Sequence, residues 1–245
     1  MTEIDAPFQP GTVKPESDYL ELQRLGKKLG IPVVQQFIKL ESLAPDGSLH
    51  AAYEDRSRTL NRNYWNWFYK QFGGFITSTS GPATTLAMAS DTTFGAGHLT
   101  NKNTAGTVAN TSATTFGGGP AAMGSAGSVA AGLVAGTGVA AESFEDVALG
   151  ALIAHGNGAG QLAYQAMTLG TPAYNAGTLT WTWACSRVLN NNSGGTIVVG
   201  ETGLYAFNGN GNTYMIARDL LSPAVSVLNA GQLTITVTQT LTFPA

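Results

Sequence analysis

LTITVTQTLTF, residues 233–243, decides the fold. Leu233, Ile235, Val237, Leu241 and Phe243 alternate with Thr234, Thr236, Thr238, Thr240 and Thr242, and Gln239 is the one polar residue on the apolar side. Successive side chains of a strand point to opposite faces, so the stretch predicts a half-buried strand with a threonine face. Threonine suits the pleat and keeps its hydroxyl wet without charge. A long flat edge with no Lys or Pro would recruit a foreign strand. The strand is therefore expected either in the middle of a sheet or covered by an adjacent copy.

The same pattern recurs upstream. In LTWTWACSRVL (179–189), Leu179, Trp181, Trp183 and Cys185 alternate against threonines. TIVVGETGLYAF (196–207) and TYMIAR (213–218) also read as strands, with NNNSGG (190–195) and GNGN (209–212) as hairpin-type loops between them. From about residue 75, short apolar runs are separated every 8–12 residues by Gly, Asn, Ser or Pro. This predicts a mainly β chain, a β-sandwich or jelly-roll-like domain over 76–245. The Gly/Ala-rich stretch 117–141 fits either a tightly packed loop or a set of small-residue strands.

Residues 1–75 are expected to form an N-terminal arm and helical docking region. Pro7, Pro10 and Gly11 make the first residues extended. KPESDYLELQRLGKKLGIP predicts a helix that Pro15 opens, with Glu16 and Asp18 in its first turn and Lys27 and Lys28 in its last. Gly30 and Pro32 stop it, and Leu22, Leu25 and Leu29 share one face. VVQQFIKLES (33–42) reads as a strand, with a helix over 33–43 as the alternative because strict alternation fails. Asp46-Gly47 marks a turn, after which SLHAAYED returns. SRTLNRNYWNWFYKQF (57–72) predicts a second helix. Its rings, Tyr64, Trp65, Trp67, Phe68, Tyr69 and Phe72, spread over roughly 200° of the cylinder, wider than a one-sided core helix needs. Either the helix is sunk in its own core or it touches its domain and a neighbouring subunit. Tyr64, Trp65, Trp67, Phe68 and Phe72 are the interface candidates.

Only 27 of 245 residues are charged, 11% against a usual ~25%. A neutral, hydroxyl-rich surface suits packing beside copies of itself, because little charge is desolvated on association. Residues 1–75 balance at nine basic and nine acidic, so the net −3 comes from the rest of the chain. No basic field would attract phosphates, and no nucleic-acid partner is expected. No apolar run is long enough for a membrane span. MTEIDAPFQPG lacks the basic start and apolar run of a signal peptide, so synthesis in a cytoplasm is expected.

Reactive constellations are weak. His50, His98 and His155 are far apart and carry no ligand spacing, so no metal is expected. Gly136-Thr-Gly138-Val-Ala-Ala141 lacks both the preceding strand and the following acid of a dinucleotide site, and no cofactor is expected. Glu142, Glu145 and Asp146 could hide a glycosidase pair but read as a charged loop. Arg218-Asp219 reads as a structural ion pair or strand-end contact. Cys185 is the single cysteine, expected to be a buried thiol. No catalytic residue is assigned, and an enzyme is not expected.

Three segments together, SFEDVALGALIAHGNGAGQLAY (143–164), LTWTWACSRVLNNNSGGTIVVGETGLY (179–205) and MIARDLLSPAVSVLNAGQLTITVTQTL (215–241), resemble a group of tailed-bacteriophage virion proteins. These are described as structural, tail or neck-associated. PDGSLHAAYEDRSRTLNRNYWNWF (45–68) is similar to the N-terminal part of that group. The resemblance implies a structural part of a virion, assembling with copies of itself and with other virion proteins. The alternatives are a receptor- or glycan-binding module on the virion, reading a host-surface glycan through loops near 190–195 and 208–212, or a capsid decoration protein.

Overall fold

The computed structural model describes residues 16–57, 60–61, 63–64, 101–102, 108–109, 123–207 and 213–244. The first element is α1, Glu16–Leu29. Its end is set by Gly30 at φ 69°, with Ile31 N–H donating to Gly26 O at 2.9 Å and Gly30 N–H to Lys27 O at 3.4 Å. These two bonds satisfy carbonyls that a helix end otherwise orphans. Strand β1, Val33–Leu43, follows and turns into β2, Leu49–Arg56. Gly47 N–H donates to Ala44 O, and Asp46 Oδ1 accepts Ser48 N–H, so Pro45-Asp46-Gly47 makes the turn its residue types predict. The buried row of β1 is Gln36, Ile38, Leu40 and Ser42. Two of those four are polar, which is why apolar alternation fails in the sequence although the segment is a strand.

The expected helix over 57–72 does not begin at 57. Leu60 forms an antiparallel bridge with Ala217, and Asn61 N–H donates to Ile216 O. Helical backbone occurs at Asn63 and Tyr64, and the remainder of that stretch lies outside the described residues. The strands that follow are β3 (Asn101–Lys102), β4 (Val108–Ala109), β5 (Gly132–Gly136), β6 (Ala163–Tyr164), β7 (Thr168–Leu169), β8 (Ala173–Asn175), β9 (Thr180–Asn190), β10 (Ile197–Phe207), β11 (Thr213–Val227) and β12 (Gln232–Thr242). Strands β3 and β4 pair only with each other among the described residues.

Two antiparallel sheets carry the rest. The larger runs β2-β1-β12-β9, with β6, β7 and β8 pairing in succession along the far side of β9; the smaller runs β11-β10-β5. Their facing sides share one apolar core, including Ile38, Leu40, Leu133, Leu189, Val199, Met215, Leu233 and Ile235. This is the mainly β, sandwich-type architecture with an N-terminal helix that the sequence predicts. The threonine-faced strand β12 lies mid-sheet, in register with β1 from Val33↔Thr242 to Leu43↔Gln232 and with β9 from Thr180↔Thr242 to Asn190↔Gln232. Both of its edges are occupied, so no neighbouring copy is needed to guard it. Its threonines stand on the outer face beside Phe37, Lys39 and Glu41 of β1.

One expectation needs correction. NNNSGG is not a hairpin: β9 and β10 belong to different sheets, so residues 190–195 cross from one layer to the other. Strands β1 and β2, from the N-terminal part of the chain, are hydrogen-bonded into the sheet of β12 and β9.

Candidate functional site

The buried charges have structural partners. Glu201, fully buried on β10, accepts hydrogen bonds from the backbone N–H of Gly138 (3.1 Å), Gly150 (3.1 Å) and Ala151 (2.8 Å), and from Arg218 Nε (2.7 Å). Arg218 also donates to Asp146 Oδ2 at 2.8 Å and to the carbonyls of Ala140 and Ala141. Burial alone would lower the Arg218 pKa, but the carboxylates of Asp146 and Glu201 outweigh it and hold it above the ordinary value. The glycines opposite Glu201 follow from this. A Cβ on Gly136 would lie 2.6 Å from Glu201 Oε1, and one on Gly138 would collide with the same carboxylate. The Gly136-x-Gly138 pattern therefore makes room for a carboxylate rather than a phosphate.

Glu142 and Asp146 of the acidic cluster are spent in the same way. Glu142 Oε1 accepts Leu220 N–H at 2.6 Å, and Asp146 Oδ2 accepts Ser143 N–H at 2.8 Å. The expected ion pair of Arg218 with Asp219 is replaced by pairs with Glu201 and Asp146. Asp219 instead accepts the Ser57 hydroxyl at 2.9 Å. His50 and His155 lie apart, the first 3.0 Å from Ser226 Oγ and the second accepting Tyr164 N–H at Nδ1; His98 lies outside the described residues. Among the described residues no three metal-ligating side chains come together. Cys185 is buried, and burial pushes its thiol up to about 12, which removes it as a nucleophile at neutral pH.

Of the interface candidates, Tyr64 is described, and Trp65, Trp67, Phe68 and Phe72 lie outside the described residues. Tyr64 is half-buried against the core and hydrogen-bonds Gln239. Burial raises its phenol pKa and the Gln239 contact opposes that. The polar exception in the terminal strand is thereby explained. Gln239 Oε1 accepts Trp183 Nε1–H at 2.9 Å, and Gln239 Nε2 donates to Gln36 Oε1 at 2.9 Å. Gln36 Nε2 continues to Ser57 Oγ at 2.8 Å, and Ser57 to Asp219. A hydrogen-bonded chain thus ties the larger sheet to β11 where the aromatic stretch departs. Each member is satisfied, which makes burial of the amides affordable.

Three fully buried tyrosines brace the same core. Tyr164 Oη donates to Ile153 O at 2.9 Å, and Tyr205 Oη accepts Leu149 N–H at 2.9 Å. Burial pushes Tyr164, Tyr205 and Tyr214 each up to about 12. An unfolded tyrosine ionises near pH 10. The folded state therefore retains protons that the unfolded state loses, and stability is full below about pH 10 and falls as pH rises towards 12. Each tyrosine contributes up to ~2–3 kcal/mol to that fall. Denaturant midpoints measured across this range should decline steadily, and a flat profile would contradict the burial.

Two surface features remain. The apolar stripe of α1 is uncovered: Leu22, Leu25 and Leu29 are 52%, 37% and 65% exposed, and the exposed Ile31 and Val34 extend it towards the sheet. Only Gly26 is buried in the described surface of the helix, against Val33, where an added Cβ would meet Cγ2 at 2.5 Å. The second feature is an open cavity of about 300 Å³ at the end of the larger sheet, between the β1–β2 turn, residues 190–192 and the β11–β12 turn. Of the two loops the sequence reading named for a glycan, residues 190–195 lie beside this cavity, and residues 208–212 lie outside the described residues. No described helix is long and apolar enough to cross a membrane. No family model, curated protein or solved structure matches the chain.

Proposed function

We propose that this chain is a structural subunit of a bacteriophage virion, of the tail-, neck- or baseplate-associated kind, and that α1 joins it to a neighbouring copy. The uncovered stripe of Leu22, Leu25 and Leu29 is the observation that carries the reading. Burying a leucine side chain is worth roughly 1.5–3 kcal/mol, and α1 leaves three largely in water. The polar side of the same helix is occupied by its own ion pair, Arg24 with Glu21, which leaves the leucines as the adhesive face. A second α1 is the occupant that matches the stripe in length and chemistry, as in the self-complementary contacts of symmetric oligomers. One helix pair falls short of the roughly 1,200–2,000 Å² of a stable interface. The contact therefore suits a repeated array, where many weak contacts act together. The phage-virion resemblance and the neutral threonine face of the larger sheet agree with this reading.

Sedimentation of the purified chain tests it. The wild type should self-associate as concentration rises, and Leu25→Glu/Leu29→Glu should be monomeric with an unchanged circular dichroism spectrum. A wild type that stays monomeric at every concentration would refute the role given to α1.

A further inference from the structure

The cavity at the end of the larger sheet has the build of a small-ligand site. Its floor is one cross-strand row on the outer face, Leu43 of β1, Gln232 of β12 and Asn190 of β9, in register with one another. Pro45 on the β1–β2 turn and Asn192 on the 190–195 crossover stand at its sides. None of the residues that line it is charged.

The walls are fixed in advance by Asn191, which is fully buried. Its Nδ2 donates to Gly195 O and Val227 O, each at 2.8 Å, and its Oδ1 accepts Ser193 N–H and Ser193 Oγ–H. Its backbone N–H donates to Gly231 O at 2.9 Å, and its carbonyl accepts Ala230 N–H at 2.7 Å. The crossover and the β11–β12 turn are thus bonded into one frame. In that frame Ala230 holds φ 59°, a left-handed conformation that a residue with a Cβ adopts only at some cost.

The amides inside are partly committed to each other and partly open. Gln232 Nε2 donates to Asn190 Oδ1 at 3.0 Å, and Asn192 Nδ2 donates to Asn157 Oδ1 at 3.3 Å. Among the described residues, Asn190 Nδ2, Gln232 Oε1 and Asn192 Oδ1 are left for a guest. That set offers donor and acceptor together, each oriented by its partner. A sugar hydroxyl both donates and accepts, and so matches such a set. Leu43 and Pro45 supply apolar surface for the C–H face of a ring. A carboxylate or phosphate would lose water here without meeting a cation, a cost that selects against acidic ligands.

We propose that this cavity binds an uncharged saccharide. Its volume lies at the small end of ligand sites, which fits a mono- or disaccharide unit. The site is on the outer face at the sheet's end, away from α1, so it does not depend on the assembly reading.

Titration of the isotope-labelled chain, followed by amide chemical shifts, tests the proposal. The panel is glucose, galactose, N-acetylglucosamine and their disaccharides, against glucuronic and sialic acids. At least one neutral sugar should move the amide resonances of residues 44, 46, 47, 190–192 and 230–232, and the acidic sugars should move them less. Asn192→Ala and Gln232→Ala should each weaken binding about tenfold, the value of one hydrogen bond. Ala44→Phe, which fills the cavity and leaves the amides in place, should abolish binding. The dispersed spectrum of each variant reports its fold independently, and the exposed Asn192 serves if Gln232→Ala does not fold. No shift with any neutral sugar, equal response to the acidic ones, or wild-type affinity in all three variants would overturn the proposal.

Discussion

Arg187→Met is expected to lose ~3–5 kcal/mol of stability, a large part of the 5–15 kcal/mol that holds a typical domain together. Arg187 stands on the core-facing side of β9 and is 1% exposed. Among the described residues no carboxylate faces it. It donates to five backbone carbonyls instead: Nε to Gln165 O, one terminal nitrogen to Ala131 O and Leu133 O, and the other to Ser125 O and Ser128 O, all within 3.1 Å. Its guanidinium also lies 4.9 Å from the centre of the Tyr164 ring. Strand β5 pairs with β10 on one side, and on the other side two carbonyls, at Ala131 and Leu133, go to this arginine. The side chain acts as a cap on the free edge of the smaller sheet and pins that edge to the larger one. Burial lowers its pKa, but arginine keeps its charge at any pH of interest.

Methionine has a similar length and no donor, so five carbonyls lose this partner at once, and those of Ala131 and Leu133 are buried. Lysine retains the charge but lacks the planar fork, and Arg187→Lys should recover only part of the loss. Denaturant midpoints of the two variants measure this. A Met variant within ~1 kcal/mol of wild type would mean that water satisfies those carbonyls as well as the guanidinium does.

That cap explains what the sequence concealed. Strands whose own residues alternate could be read directly: Thr234 to Thr242 fix β12, and the threonines against Trp181 and Trp183 fix β9. The α1 boundaries also follow from local chemistry, since Gly30 and the flanking charges act within a turn of the helix. The described part of 117–141, residues 123–141, could not be read this way, because several of its glycines answer to residues far along the chain. A Cβ on Gly124 would lie 2.8 Å from an Arg187 nitrogen, and one on Gly136 would lie 2.6 Å from Glu201 Oε1. Small residues there signal close approach, but the group that approaches is about sixty positions away and leaves no mark nearby. Arg187 itself carries no local mark of its burial in the sequence.

The layer change at 190–195 was hidden for a related reason. A loop of Asn, Ser and Gly serves a hairpin and a crossover equally well, and Asn191 distinguishes them only through bonds to Val227 and Gly231. Of the candidate sites, the exposed leucines of α1 and the asparagines of the crossover could be found by composition. The joining of Asn190 to Gln232 and Leu43 needed the strand register.

The second large effect concerns Glu201 and Arg218, whose ion pair is almost wholly buried at 2.7 Å. Arg218→Met should cost ~3–5 kcal/mol, because it leaves a buried carboxylate with backbone N–H groups as its remaining support. Glu201→Gln should cost a comparable amount. Every group around that carboxylate is a donor, namely Gly138 N, Gly150 N, Ala151 N and Arg218 Nε, and an amide turns an NH2 towards one of them. If the two residues act through each other, Glu201→Gln/Arg218→Met should be more stable than the sum of the single changes predicts, with a coupling of ~1–3 kcal/mol. A double-mutant cycle on denaturant midpoints supplies that number, and additivity within ~0.5 kcal/mol would show that the pair does not interact. The same carboxylate binds the amides of Gly138, Gly150 and Ala151, which bracket residues 138–151. Hydrogen exchange at those three amides should therefore accelerate in Glu201→Gln beyond the global loss of stability, while exchange in β12, held by β1 and β9 on both sides, should follow the global loss alone.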